Sequence, residues 1–200
     1  MPDTPILVPP TGRPGQAIRA ILAQPHGAYT DLDVDTIVRA YWAQCVHVGV
    51  DPVLVVAQLI HETGYLSAWW AQRPRRNPAG IGVTGRSVSR EMYEAYPARY
   101  PDRAWAWGED GRRREGCSFA SWVGDAVPAH VGRLLAYALP AGAGTDVQQA
   151  LIGVALGVRP LPPRFRGIAP TWEGLNGRWA VPGTVYSDRI AAVAAAIRRG

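Results

Sequence analysis

Lysine is absent from this 200-residue chain, so all 21 of its lysine-or-arginine positions are arginine, and the formal net charge is +5. Arginine is suited to bidentate contacts with carboxylates and phosphates. A positive balance is compatible with nucleic acid, an anionic membrane or an anionic polymer such as a bacterial cell wall. The arginine blocks at 73–76 and 112–114 are short, as is typical of solvated faces. We therefore expect neither nucleic acid nor a membrane as the partner.

Cysteine is scarce, and long apolar runs are missing. Cys45 and Cys117 lack the spacing of a metal-binding motif. Cys45 falls on the apolar face of a predicted helix, which favours a buried free thiol, and a disulfide between the two stays open if the protein is exported. No run of roughly 18 apolar residues predicts a membrane span, and the first residues lack the pattern of a signal peptide. The sequence therefore carries no export signal that we can identify.

What the chain does contain is enough apolar residues for a sizeable core, 48% of the total. Residues 1–29 are rich in proline and glycine and predict an extended arm with a short helix near Gln16–Ala23. Residues 30–200 predict one mostly helical α+β domain with a small β-hairpin lobe. Its hairpin has a predicted turn at 109–111, and "NPAGIGVTG" (77–85) predicts a short strand. The other predicted helices span about 33–48 with Asp33 as the cap, about 122–139 with Asp125 as the cap before Pro128, and about 146–156 with a Thr145/Gln148 capping box. Two more are predicted at about 171–176 and at about 188–198, the latter with Ser187 as the cap.

The clearest helix is "DPVLVVAQLIHETG". Asp51 is a good N-cap, Pro52 occupies the first helical position and Gly64 is a good terminator. The segment is apolar nearly all round, so we expect it to be deeply buried. Glu62 falls at its C-terminal end, where both the helix dipole and burial disfavour a negative charge. Both effects predict a raised pKa for this carboxyl group.

Several chemistries lack the residues they need. His61 and Glu62 begin like a zinc-protease motif, but Tyr65 occupies the position of the second histidine. No nucleophile elbow is present, and the glycine-rich segment "GIGVTG" has no lysine for a phosphate loop. We therefore expect neither a metal nor another cofactor.

Acid catalysis on a sugar fits better. A carboxyl group at the end of a buried helix, near Tyr65, Trp69 and Trp70, has the environment that keeps it protonated near neutral pH. Aromatic faces also stack on sugar rings. The plainer alternative is that Glu62 merely ends a helix and the tryptophans fill the core.

A resemblance supports the first interpretation. "VLVVAQLIHETGYLSAWW" followed by "RNPAGIGVTG" resembles the bacterial glucosaminidases (glycoside hydrolase family 73, within the lysozyme-like superfamily). "SFASWVGDAVPAHVGRLL" and "LNGRWAVPGTVYSDRIAAV" are similar to later segments of that family, so the resemblance extends over about 30–198. The residues that match its motifs are Ala57, Gln58, Glu62, Thr63, Gly64, Asn77, Gly80, Ile81, Trp179, Ala180, Tyr186 and Ile190.

The resemblance implies that Glu62 is the general acid and that Tyr186 lines the sugar site. A second carboxylate is expected on the β lobe, but the family's Thr-Glu-Tyr pattern is absent. Glu109 is our first candidate and Glu115 the second, and the substrate's 2-acetamido group is an alternative to both. Gln58 is expected to orient Glu62, and His61 to be a polar neighbour. The other expected sugar-binding residues are Asn77, Tyr65, Trp69 and Trp179.

The sequence thus predicts a monomeric hydrolase of peptidoglycan glycan strands that acts on the cell wall. It would cleave the β-1,4 bond after N-acetylglucosamine. A lytic transglycosylase with one glutamate and a non-catalytic wall-binding module remain as alternatives. A basic nucleic-acid binder is the least favoured.

Overall fold

The computed structural model describes residues 4–108, 110–179 and 183–200. Within these residues the chain forms seven α-helices and a three-stranded antiparallel sheet, which confirms the predicted mostly helical α+β class. The helices are α1 (Pro14–Leu22), α2 (Asp31–Val48), α3 (Pro52–Thr63), α4 (Arg90–Ala95), α5 (Val127–Ala138), α6 (Asp146–Val158) and α7 (Tyr186–Arg199). The strands are β1 (Ser87–Val88), β2 (Trp105–Trp107) and β3 (Arg113–Glu115).

The sheet contains the predicted hairpin. Strands β2 and β3 pair antiparallel with Trp105 opposite Glu115, and β1 adds to the other edge of β3. Position 109 of the predicted turn lies outside the described residues. The predicted strand at 77–85 is wrong, because this segment forms turns around the buried side chain of Asn77. The short helix α4 was not predicted, and Ser89 caps it by accepting a hydrogen bond from Met92.

Helix α3 is the centre of the core. Ten of its twelve residues are buried, as its nearly continuous apolar sequence predicts. It packs against α2 and α7, while α5 packs against α6. Asp51 caps it through the backbone N–H of Val53 (3.0 Å) and also pairs with Arg198 of α7 (2.9 Å). The chain leaves the helix at Gly64, whose left-handed conformation (φ 52°) suits glycine.

Three predicted helix caps are wrong, because other groups bind the first backbone N–H groups of these helices. Thr30 caps α2 and forms a capping box with Asp33, so the helix begins at Asp31. Ser121 caps a π-helical turn at Trp122–Ala126 that leads into α5, and Asp125 accepts a hydrogen bond from Ala120. Helix α7 begins at Tyr186, one residue before the predicted cap Ser187, whose own backbone N–H donates to the Asn176 side chain. The capping box of α6 is confirmed.

The described part of the N-terminal arm packs onto the helices. Ile6 is fully buried, Leu7 forms a bridge with Val50, and Pro5 forms one with Thr171. The division at residue 29 stays a prediction. Cys45 and Cys117 are both buried and free. Among the described residues, no helix is both long and apolar enough to cross a bilayer.

Candidate active site

Glu62 lies on the last turn of α3 with its carboxyl group partly buried. Its Oε1 accepts a hydrogen bond from the phenol of Tyr186 (2.5 Å), the first residue of α7. Burial raises the pKa of Glu62 from 4.5 to about 7, and hydrogen bonds from Tyr186 and Trp179 offset part of this rise. A carboxyl group with such a pKa carries a proton in a substantial fraction of molecules at neutral pH.

Tyr186 is the end of a buried hydrogen-bonded chain. The amide Nε2 of Gln58 donates to its oxygen (2.7 Å), and Gln58 Oε1 is 3.0 Å from His130 Nε2. His130 Nδ1 is 2.9 Å from the hydroxyl of Tyr41. Burial lowers the pKa of His130 to about 3, so its ring is neutral. With Nε2 protonated and Nδ1 bare, every donor in the chain from Tyr41 to Tyr186 points towards Glu62.

Two cavities lie near Gly80, the neighbour of this carboxyl group, and Glu62 itself lines neither of them. The first, of about 420 Å³, is lined by the turn segment 79–83 and by Arg133, Tyr137, Arg159, Arg178 and Trp179. The second, of about 410 Å³, is lined by Trp69, Trp70, Val83, Gly85, Arg86, Ser87 and Arg114.

Gly80 lies close to both Glu62 and Trp70. A Cβ atom placed on this residue would be 3.8 Å from Glu62 Oε2 and 3.9 Å from Trp70 Nε1. Gly80 lines the first cavity and Trp70 the second. Oε1 is held by Tyr186, while Oε2 is the carboxyl oxygen nearest to Gly80, which lines the first cavity. The Trp70 Nε1–H is buried and has no hydrogen-bond partner among the described residues, so it is an unused donor close to Gly80.

The side chain of Asn77 is enclosed by the backbone of the turn segment 79–83 and of Cys117. Its side chain is fully buried, and its amide donates to the carbonyls of Ile81 and Cys117 and accepts from the N–H groups of Ala79 and Ile81. These bonds use all of its ordinary donor and acceptor capacity. The structure thus assigns Asn77 to shaping the turn segment 79–83, and the expectation that it contacts a sugar does not match this placement.

Trp69 and Tyr65 differ in their positions. Trp69 lines the second cavity, meets Trp70 edge to face (5.4 Å between ring centroids) and carries the guanidinium of Arg75 over its ring at 4.4 Å. Tyr65 is partly buried and packs against the hydrophobic core, and it lines neither of the two cavities. Trp179 lines the first cavity and also hydrogen bonds with Glu62. Trp179 is thus beside the candidate acid, while Trp69 belongs to the wall of the second cavity.

Glu115, the described candidate for a second carboxylate, lines neither cavity. Glu115 lies on β3, where it accepts a hydrogen bond from Thr84 and is 3.5 Å from Arg86. Glu109 lies outside the described residues. Asp110 is exposed and pairs with Arg114. Among the described residues that line either cavity, none is aspartate or glutamate.

Sequence patterns missed two parts of this arrangement. His61 was expected beside Glu62, and its ring contacts that of Tyr186 edge to face at 5.5 Å. His130 and Tyr41 were not expected at the site, and only their position on apolar helix faces could have suggested that they are buried together. The three arginines of the first cavity come from separate segments and share no sequence motif.

Comparison with known proteins gives little further information. No family model matches the chain, and no curated protein is similar to it. Among solved structures, the chain is similar to the catalytic domain of the autolysin Auto from Listeria monocytogenes, with a TM-score of 0.43 and 15% sequence identity. The similarity covers 94% of this chain and 87% of that one. A likeness this distant carries no inference about activity, which must be argued from the site itself.

Proposed function

We propose that this chain is a peptidoglycan hydrolase of the bacterial glucosaminidase family, with a lysozyme-like fold and Glu62 as its general acid. It would cleave the β-1,4 bond after N-acetylglucosamine in glycan strands of the cell wall. The observation that carries the proposal is the state of Glu62. Its carboxyl group is held by Tyr186, has a pKa raised to about 7, and lies close to Gly80 and Trp179, two residues that line the first cavity.

In the first step, protonated Glu62 would donate its proton to the glycosidic oxygen. Because Oε1 accepts a hydrogen bond from Tyr186, the proton would be carried by Oε2, the oxygen nearest to Gly80 in the lining of the first cavity. The bond between the anomeric carbon and this oxygen then breaks, and positive charge develops at the anomeric carbon. The carboxylate left behind is stabilised by the hydrogen bond from Tyr186, whose own pKa burial raises well above the usual value for a phenol, so that it stays a donor.

The second step concerns the positive charge at the anomeric carbon. Because no carboxylate lines either cavity among the described residues, we propose that the carbonyl oxygen of the substrate's 2-acetamido group attacks this carbon and forms an oxazolinium ring. Water then opens the ring, and Glu62 accepts a proton from that water. The regenerated acid and a reducing N-acetylglucosamine end are the products.

Glu109 and Glu115 remain the candidates for an enzyme-supplied second carboxylate. Glu115 is 3.5 Å from Arg86, a residue that lines the second cavity. If either residue completes the reaction, its replacement by glutamine should abolish turnover. Substrate assistance predicts instead that both variants keep most of their activity.

A lytic transglycosylase is the second candidate, and the same lack of a lining carboxylate favours it. Here the C6 hydroxyl of N-acetylmuramic acid would attack its own anomeric carbon, and Glu62 would donate one proton to the leaving oxygen and take one from that hydroxyl. Mass spectrometry of fragments released from purified peptidoglycan separates the two. Reducing N-acetylglucosamine ends support the hydrolase, and anhydro-muramic ends support the transglycosylase.

A non-catalytic wall-binding module would give a third result. In that case the protein would co-sediment with peptidoglycan while releasing no fragments at all. The expected partner is the glycan strand, the expected place of action is the cell wall and the expected state is a monomer. The positive net charge would favour adhesion to an anionic wall.

A further inference from the structure

The first cavity beside Glu62 has a positively charged wall. Arg133 comes from α5, Arg159 follows α6 directly, and Arg178 precedes Trp179 in the chain. Arg159 Nη1 reaches to 3.1 Å from the position that a Cβ atom on Gly82 would take. Gly82 is two residues from Gly80, which borders Glu62 Oε2. The guanidinium groups therefore belong to the same cleft as the candidate acid.

These arginines have no acidic partner in the described part of the chain. Arg133 donates to the backbone carbonyl of Arg159 (3.1 Å), and Arg178 donates to that of Gly174 (2.7 Å). None of the three forms an ion pair with a described carboxylate, whereas Arg113 and Arg198 elsewhere do. Since a guanidinium has five donors, each of the three retains N–H groups for an external acceptor.

The charged form of Arg133 would be stabilised by a bound anion. It is partly buried, and its pKa is lowered mainly by that burial and further by the nearby positive charge of Arg159. An anion in the cavity would compensate both effects, since charge-assisted hydrogen bonds are stronger where water is partly excluded. The indole of Trp179 supplies a flat apolar surface on which a sugar could lie beside the anion, and the guanidinium of Arg133 lies over the buried ring of Tyr137 (5.7 Å).

We propose that this cavity is a carboxylate-binding subsite that reads the acidic groups of N-acetylmuramic acid units next to the scissile bond. The proposal rests on the proposed function, because peptidoglycan differs from an uncharged N-acetylglucosamine polymer by these groups. They are the lactyl carboxylate of the sugar, where no peptide is attached, and the carboxylates of the stem peptide. Arginine presents a fork of donors that matches a carboxylate in a bidentate manner.

Measurements of ligand binding test the proposed carboxylate-binding subsite without requiring turnover. Calorimetric titration of the Glu62→Gln protein would use three ligands: intact peptidoglycan fragments, peptide-free glycan with free lactyl carboxylates, and N-acetylglucosamine oligomers of equal length. Adding Arg159→Gln and Arg178→Gln, both at exposed positions, should weaken binding of the carboxylate-bearing ligands about tenfold or more. Binding of the uncharged oligomer should change less than about twofold. Arg39→Gln with Arg199→Gln removes the same charge far from the cleft and is the control.

The ligands separate the two sources of the carboxylate. Loss confined to intact fragments assigns the subsite to the stem peptide, and loss on peptide-free glycan assigns it to the lactyl group. Equal losses for charged and uncharged ligands, or equal losses in the control variant, would overturn the proposal. The proposed function fails separately, if the wild-type protein binds glycan but releases no fragments from peptidoglycan.

Discussion

At the scale of single residues, the position of one proton matters most. Two opposing effects set the pKa of Glu62. Burial favours the neutral acid, while the hydrogen bond from Tyr186 favours the ionised form. The raised pKa shows that burial wins, but Tyr186 limits the rise. This balance would allow Glu62 to give up a proton and take it back within one catalytic cycle near neutral pH.

Replacing Tyr186 by phenylalanine should move the pH dependence of activity. The variant loses the hydrogen bond that stabilises ionised Glu62, so the pKa of this carboxyl should rise. The alkaline limb of the kcat/KM profile, expected near pH 7 in the wild type, should therefore shift upward by about one pH unit. Tyr29→Phe is the control, because its buried hydroxyl bonds to Ala71 and Trp122, away from Glu62. A profile unchanged by Tyr186→Phe, or shifted equally by Tyr29→Phe, would contradict this role.

Glu62 should also make the fold less stable as pH rises. Its folded-state pKa lies above the unfolded value, so the folded protein binds the extra proton between pH 4.5 and about 7, and stability attributable to Glu62 falls across this window. Glu62→Gln removes the effect. Its stability relative to the wild type should therefore increase from pH 4.5 to 7, by on the order of 2 kcal/mol, and stay level above that. Urea unfolding of both proteins at several pH values measures this, and other titrating groups cancel in the difference. A pH-independent difference would mean that the pKa is not raised.

At the scale of secondary-structure elements, the helices form a rigid frame around the acid. Glu62 lies on the last turn of α3, and Tyr186 is the first residue of α7. These two helices pack together, and the ion pair between Asp51 and Arg198 connects them a second time. Gln58, one turn before Glu62, connects this pair of helices to His130 on α5 and through it to Tyr41 on α2. Four helices therefore contribute to the position of one hydroxyl group.

The contact between α5 and α6 depends on a glycine. A Cβ atom on Gly132 would collide with the backbone carbonyl of Leu151, so Gly132→Ala should force the helices apart and lower the free energy of unfolding by about 1–3 kcal/mol. Gly153 on α6 is exposed and has no atom within 4 Å of such a Cβ. Gly153→Ala should therefore raise stability by about 0.5–1 kcal/mol. Chemical denaturation measures both, and effects of the same sign would show that the packing is not as described.

At the scale of the whole molecule, the sequence predicted local features better than distant contacts. The burial of α3 and the position of Glu62 follow from a nearly all-apolar helix between Asp51 and Gly64. The hairpin likewise follows from local turn residues. The hydrogen-bonded chain was not predictable, because its bonds join residues 72 to 128 positions apart, and only packing shows that they meet.

Helix starts and the turn segment show a related limit. Thr30 and Asp33 are both good caps, and sequence alone does not say which one takes the position and which supports it. Asn77 matched a family motif, and its burial beneath the turn segment depends on the carbonyls of Ile81 and Cys117. The arginine-lined cavity was missed because its three arginines come from separate segments that only the fold brings together.

The most direct measurement is the release of fragments from purified peptidoglycan by the wild type and by Glu62→Gln, at pH 6 and equal concentration. Loss of the general acid should lower turnover by a factor of roughly 10²–10⁴, while thermal unfolding shows that the variant is folded. Glu91→Gln, on the exposed surface of α4, is the control and should keep wild-type activity. If Glu62→Gln releases fragments as fast as the wild type, Glu62 is not the catalytic acid and the proposed mechanism is wrong.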